Sequence, residues 1–232
     1  MPDRMNAATD RLEVVKLVIA GSITSFRYPH FVQRVQPTYE MPPPSTIYGL
    51  IGAARGVIDP PEDFTFGVHF TVEGKFRDLE HIHLSVPYGQ ANPFQRELLF
   101  NPRLTLYLTP TSLFEAFERP HYPLALGRSQ DLMTRIALDI VTLERARAAY
   151  FEHTLVPFSF APRFQRTTAA TMARHIDSSR RPTWDHYAIV KDRVTYPDPD
   201  DPERYKPEPV WVDPTAPLFH GLRRGVILHR FV

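Results

Sequence analysis

Cysteine is absent from this 232-residue sequence, which excludes disulfide frameworks and thiolate metal sites and fits a reducing compartment. Lysine is nearly absent too, occurring only at positions 16, 75, 191 and 206. No apolar run approaches the roughly 20 residues that span a bilayer, and the N-terminal MPDRMNAATDR has no apolar signal core. The expectation is a soluble, cytoplasmic protein with no membrane partner. A large charge of either sign is missing as well: the formal net charge is +1, so any nucleic-acid site must be local. P-loop, GxGxxG, HExxH and GxSxG patterns do not occur, which leaves nucleotide hydrolysis and the common hydrolase chemistries without support. Glycine is scarce at 10 residues while proline reaches 24, about twice its usual share of roughly 5%, so connections should be long, extended and ordered by contacts.

What is present begins with arginine, which carries almost all the positive charge and suits bidentate contact with phosphate or stacking on bases. A genomic bias toward GC accounts for an arginine excess equally well. Residues 12–20, LEVVKLVIA, are β-branched and aliphatic on both faces, as a central strand requires. FGVHFTVEGKF alternates Val68, Phe70 and Val72 with polar residues, and Glu73-Gly74 marks a bend. RLTLYLT at 103–109 is a third strand, and Ser112 with Glu115 forms a capping-box pattern ahead of a short helix bearing Phe114 and Phe117. RIALDIVTLER supplies a fourth strand. With a helix between the first two strands, the order is β-α-β-β-α-β, the ferredoxin-like arrangement.

That first helix is announced by the most informative segment, SFRYPHFVQRVQPTYEMPPPSTIYGLIGAARG, from Ser25 to Gly56. Pro42, Pro43 and Pro44 hold the approach extended, and Ser45 reads as an N-cap with the helix starting at Thr46 and its free N–H groups outward. Such an end attracts phosphate. Ile47, Leu50, Ile51 and Ala54 repeat at helical spacing, while Gly49, Gly52, Ala53 and Gly56 make a second stripe open to close backbone approach. Packing on a sheet explains this helix without any ligand, and the two roles are compatible.

Between the second and third strands, HIHLSVPYGQANPFQRELLFNP is far longer than a hairpin turn and reads as a protruding hairpin. Its aromatics either wedge against bases, worth about 1 to 3 kcal/mol per stacked base, or fold back on the core. His81 and His83 share a strand face but lack a third ligand, so no metal site is expected. The basic stretch from Arg163 to Arg181 is either a phosphate or partner surface or a solvated face.

The loop SFRYP, the helix start PPPSTIYGLIGAARG and the later LGRSQD, in that order and separation, resemble the CRISPR-associated Cas-five family of the RAMP superfamily, most of all its type I-B branch, over about residues 12–145. The resemblance implies an α+β protein: a disordered tail at 1–11, a ferredoxin-like (RRM-like) βαββαβ domain at 12–150 with a β-hairpin thumb at about 81–102, and an irregular, partly β extension at 151–232 packed on it. It implies a non-catalytic subunit of a type I surveillance complex, Cascade, in antiviral defence. Such a subunit caps the 5′ handle of the crRNA and adjoins the backbone, large and crRNA-processing subunits, meeting target DNA through the complex; no cofactor or metal is implied.

The expected RNA-binding residues are Ser25, Arg27, Tyr28 and Arg34 in the first loop, Ser45, Thr46 and Tyr48 at the helix start, and Arg128 and Ser129 in LGRSQD, with Asp131 orienting Arg128. They offer hydroxyls, backbone donors and guanidinium forks to splayed nucleotides. The thumb would present Tyr88, Gln90, Phe94, Gln95 and Arg96. The alternative is a metal-independent endoribonuclease cutting repeat RNA, as the type I-C branch does. Its tyrosine would correspond to Tyr39 or Tyr48, but no Lys-His pair exists in the sequence, and Arg119 with His121 is the nearest imitation. The end, HGLRRGVILHRF, lacks the superfamily's dense glycine pattern, so RNA contact by Arg223 or Arg224 is not expected.

Overall fold

The computed structural model describes residues 10–29, 35–57, 64–83, 91–200 and 208–231, without the side chains of 81–83, 91, 92 and 94. The chain runs from β1 (Arg11–Ala20) through the two-residue strands β2 (Ile23–Thr24) and β3 (Val35–Gln36) to α1 (Pro44–Arg55). β4 (Thr65–Thr71), a hairpin of β5 (Gly74–His83) and β6 (Ala91–Phe100), β7 (Arg103–Thr109), α2 (Leu113–Glu118) and β8 (Thr134–Ala146) follow. The remainder is β9 (Ala149–Phe151), β10 (Thr154–Pro157), a 3-10 turn at Phe158–Arg163, β11 (Thr168–Ile176), β12 (Pro182–Val190), β13 (Val194–Tyr196), β14 (Val210–Asp213), β15 (Arg224–Val226) and β16 (His229–Arg230). The protein is thus α+β, mostly strands with few helices.

β1 lies at the centre of a nine-stranded sheet of order β13-β9-β15-β14-β8-β1-β7-β4-β16. It pairs antiparallel with β7 and β8, and β7 pairs antiparallel with β4. Strands from the last third of the chain extend the sheet at both edges. β10, β12 and β11 form a second sheet, and β6 carries β2 and β3 on one side and β5 on the other.

Both faces of β1 are buried because, Lys16 apart, both sets of alternating residues from Val14 to Ile19 are apolar. Val15, Leu17 and Ile19 pack with Ile47, Leu50 and Ile51 of α1 and Phe117 of α2, whereas Val14 joins Tyr107, Leu143 and Val226 behind the sheet. An isolated helix of this length is marginal in water. Burial of its three large aliphatics, about 1.5–3 kcal/mol each, holds α1 in place.

The helix begins earlier than its serine suggested. Pro43 occupies the cap and Pro44 the first turn, and the Pro43 carbonyl accepts from Thr46 N at 2.8 Å and Ile47 N at 3.3 Å. Ser45 therefore sits inside the first turn, since proline's fixed φ and missing N–H suit that turn so well. The glycine stripe does not meet a second backbone at Gly49, where a Cβ would find nothing within 4 Å. At α2 the Ser112 backbone is already helical and its side chain makes no capping bond, so the capping box does not form.

Behind the sheet, Asp213 is wholly buried and accepts from Lys16 Nζ at 2.6 Å, Tyr107 Oη at 2.7 Å, and Thr215 N and Oγ1 at 2.8 and 2.7 Å. Burial opposes its charge, but the bonds from Lys16, Thr215 and Tyr107 outweigh that and hold the carboxyl at about 2. Arg224 donates to Tyr107 Oη at 2.9 Å and Arg223 to Glu144 at 2.6 Å, so both arginines are engaged in the fold.

Burial first, and Arg224 next, lower the His69 ring to about 3, so the Glu152 carboxylate 3.9 Å away faces a neutral ring and not an ion-pair partner at neutral pH. His229, fully enclosed with Nε2 2.9 Å from the Leu155 carbonyl, is lowered by burial to about 4. Both rings protonate at about 6.5 once unfolded, so the unfolded chain binds more protons between about pH 6.5 and these folded values. Their contribution to stability is complete above about pH 6.5 and is lost as pH falls. Thermal melts should therefore drop from about pH 7 to about pH 4.5, and substituting both histidines (His69→Asn, His229→Gln) should flatten that slope. An unchanged slope would remove these two rings from the explanation.

Candidate nucleic-acid interface

At the N-terminal end of α1 the first loop, the helix start, the middle of β6, the LGRSQD loop and the β11-β12 hairpin enclose a cleft of about 740 Å³. Four arginines line it: Arg27, Arg96, Arg128 and Arg180.

The walls are tied together by short local bonds. Thr24 Oγ1 donates to the Leu126 carbonyl, and the buried Ser25 hydroxyl donates to the Glu97 carbonyl of β6 at 2.9 Å. Gly127 lets the LGRSQD loop lie on this segment: its φ is +91°, and a Cβ there would sit 2.5 Å from the Ser25 carbonyl oxygen and 2.7 Å from Thr24 Oγ1. Gly127→Ala is expected to lose about 1–3 kcal/mol of stability and to weaken ligand binding at the cleft, measured by thermal melting and titration; wild-type behaviour in both would show the loops are not held this way.

Within LGRSQD, Asp131 is 5% exposed and takes Arg128 Nε at 2.8 Å and Nη2 at 2.7 Å, while Arg128 Nη1 donates to Glu80. Glu80 also accepts from Arg96 Nε at 2.5 Å. The hydrogen bonds that Arg128 donates to Asp131, ahead of the opposing effect of burial, raise the Arg128 pKa further above its ordinary value. Two arginines and two carboxylates thus form one chain, aimed and close to neutral. Arg27 and Arg180 differ: neither has an ion-pair partner among the described residues, so they carry the cleft's net positive charge.

The structure brings Ser25, Arg27, Ser45, Thr46, Arg96 and Arg128 to one cleft out of segments far apart in sequence. It does not bring Tyr48 there. At helical spacing Tyr48 turns inward and is 7% exposed, its ring 4.5 Å from His175 and 5.6 Å from Phe231. Tyr28 stacks on Tyr39 with centroids 3.6 Å apart, beside the cleft, and Ser129 is exposed outside its lining. Gln95 is an exposed residue of β6. Arg34, Tyr88 and Gln90 lie outside the described residues, as do the side chains of Phe94, His81 and His83.

Sequence reasoning missed the fifth wall. Arg180, Pro182, Trp184 and Ile176 come from the β11-β12 hairpin. The signal was partly visible, since Arg180 belongs to the basic 163–181 stretch. Within that stretch Arg163 pairs with Glu208 at 3.2 Å, Arg174 with Asp185 at 3.7 Å and Arg181 with Asp177 at 2.9 Å.

The profile of the family described as CRISPR-associated protein (Cas_Cas5) matches residues 14–201, most of the chain. The chain belongs to that family. A solved chain described as "CRISPR RNA-guided surveillance complex" is similar with a TM-score of 0.55 at 17% identity, over 79% of this chain and 91% of that one, a likeness of fold. A CRISPR protein from Archaeoglobus fulgidus aligns over 94% of this chain and 99% of that one, with a TM-score of 0.48 and 11% identity. A further Cas protein aligns over 81% and 96%, with a TM-score of 0.42 and 15% identity. No curated protein matches. Among the described residues no helix is long and apolar enough to cross a membrane.

Proposed function

We propose that this chain is a non-catalytic, type I-B-like subunit of a type I CRISPR surveillance complex that grips the 5′ handle of the crRNA in the arginine-lined cleft. In this reading it abuts the backbone subunit through its hairpin and the large subunit near the end that inspects target DNA, and a separate subunit processes the crRNA. The observation that carries it is the convergence of four arginines and a helix start on one cleft. Phosphates favour such a helix end, and guanidinium groups grip them bidentately. The antiparallel order β8-β1-β7-β4, with α1 and α2 as the crossovers, supports a ferredoxin-like (RRM-like) core.

Holding without cutting fits the tyrosines. Burial, and then Tyr28, push the Tyr39 hydroxyl up to about 12, and it donates to the Thr171 carbonyl at 2.7 Å, so it is a poor base near neutral pH. His121, two residues after the Arg119 cap of α2, stands at the other end of α1, where its N–H donates to the Ala54 carbonyl, roughly 12–16 Å along the axis from the cleft.

Arg27 is exposed and unpaired among the described residues, so Arg27→Ala should leave the melt unchanged and weaken handle RNA about tenfold or more in competition binding, with much less effect on an unrelated single strand. Equal loss on both RNAs would sink the handle-specific reading.

A further inference from the structure

We propose that the β11-β12 hairpin holds one splayed nucleotide of single-stranded RNA, with its base stacked on Trp184 and its phosphate gripped by Arg180 and Arg27. This rests on the RNA-binding reading above and adds to it a nucleotide subsite built by the C-terminal part of the chain.

The hairpin is shaped toward the cleft by an irregularity in its pairing. Ala173 pairs with Trp184 and Ile176 with Pro182, and the register shifts between Ala173 and His175, so that Arg174 is passed over. In a regular strand residues three apart point to opposite faces. The extra residue brings both Ala173 and Ile176 to the cleft side, opposite Trp184 and Pro182, and all four line the cleft. Bulges re-aim side chains in this way beside functional sites. The result is an apolar wall: Trp184 is 37% exposed, Ile176 is 39% exposed, and the short Ala173 stands across from the indole.

The hairpin's turn supplies the charge. Asp177 accepts from Arg181 N at 2.8 Å and Arg181 Nε at 2.9 Å, which neutralises Arg181. The next arginine is left for the cleft: Arg180 has φ 63°, a left-handed conformation that a β-carbon disfavours, and no ion-pair partner among the described residues. A strained residue that also lines a cleft is a candidate for function. Arg27 lines the same cleft. Ligand pockets run roughly 300–1,000 Å³, so the cleft's volume suits one or two nucleotides and excludes a duplex. An indole face is a sequence-tolerant platform for a base.

The chain has two tryptophans, and Trp211 stacks under Arg145 at 4.2 Å away from this cleft, so Trp211→Phe leaves Trp184 as the single indole reporter. A labelled repeat-derived RNA of about eight nucleotides, within the roughly 4–16 covered by single-strand grooves, would be titrated while following RNA anisotropy and indole fluorescence together. The expected result is quenching that tracks binding, a loss of about 5- to 150-fold in affinity for Trp184→Ala, and recovery of most of it in Trp184→Phe. Because glycine accepts the left-handed backbone, Arg180→Gly should keep or raise the melting temperature while weakening RNA about tenfold, which separates binding from folding. Full binding with unchanged Trp184 fluorescence and no effect of either substitution would overturn the subsite and leave the handle-binding reading standing. No binding by the unsubstituted chain would overturn both.

Discussion

Arg128→Ala is expected to lower the melting temperature and eliminate handle RNA binding together. Arg128 is the common partner of two carboxylates, one of them nearly sealed from solvent: the Asp131 side chain is 3% exposed and the Arg128 side chain 17%. Removing one member of a buried pair costs about 3–5 kcal/mol, because the remaining charge has lost water and gained nothing. For a chain of this size that corresponds to a melt lower by roughly 6–20 °C. Glu80 would keep Arg96, but Asp131 would face the cleft as an uncompensated negative charge, repelling the phosphates that Arg128 attracts. The pair Arg128→Ala with Asp131→Asn tells the two losses apart: the melt should largely recover and RNA binding should not. Recovery of both would mean that Arg128 serves the fold alone.

Gly225→Ala is expected to destabilise the protein from β15, away from the cleft. A Cβ at Gly225 of β15 would sit 2.1 Å from Phe151 Cζ and 2.3 Å from Cε1. The Phe151 ring is fully buried and cannot retreat, since Phe164 stands 5.1 Å and Tyr196 6.1 Å from it, ring centre to ring centre. Overpacking of this kind costs about 1–3 kcal/mol and more where nothing yields. β15 is also the only parallel neighbour of β9 among the described pairings and carries Arg224 into the Asp213 network, so its displacement loosens several buried polar groups at once. Shortening the ring in the same chain, Gly225→Ala with Phe151→Leu, should restore part of the loss. Chemical denaturation of the four members of this cycle measures the coupling, and additive effects would show that the ring is not what excludes a side chain at 225.

The elements legible in the sequence were those whose periodicity is strong, however distant their partners. LEVVKLVIA, RLTLYLT and RIALDIVTLER became β1, β7 and β8 because alternation of large apolar residues has one low-energy solution in a sheet. The hairpin was legible from its length and is longer than expected, its strands running from Gly74 to Phe100. Caps were less legible: a serine beside three prolines reads as an N-cap, but the prolines themselves suit the helix start, and Ser45 moved into the first turn. Ser25, Arg27 and Arg128 of the cleft could be named because they sit in short, unusual loops. The β11-β12 wall could not, because the register shift that aims Trp184 leaves no pattern in the sequence and Arg27, which lines the same cleft, lies well over a hundred residues away along the chain. Tyr48 was misplaced for a related reason, since a tyrosine at a helix start suits a ligand or a core equally until the packing partner, here Phe231, is known.

The most direct measurement is photocrosslinking of a repeat-derived RNA bearing 4-thiouridine in its 5′ handle, with the linked peptides identified by mass spectrometry and the RNA's integrity followed on a gel in chelator. Crosslinks confined to the cleft walls, residues 25–29, 39–46, 96, 127–128 and 173–184, on RNA that stays intact are the predicted result. Crosslinks concentrated elsewhere, or clean cleavage of the repeat lost in His121→Ala, would contradict a cleft that holds guide RNA without cutting it.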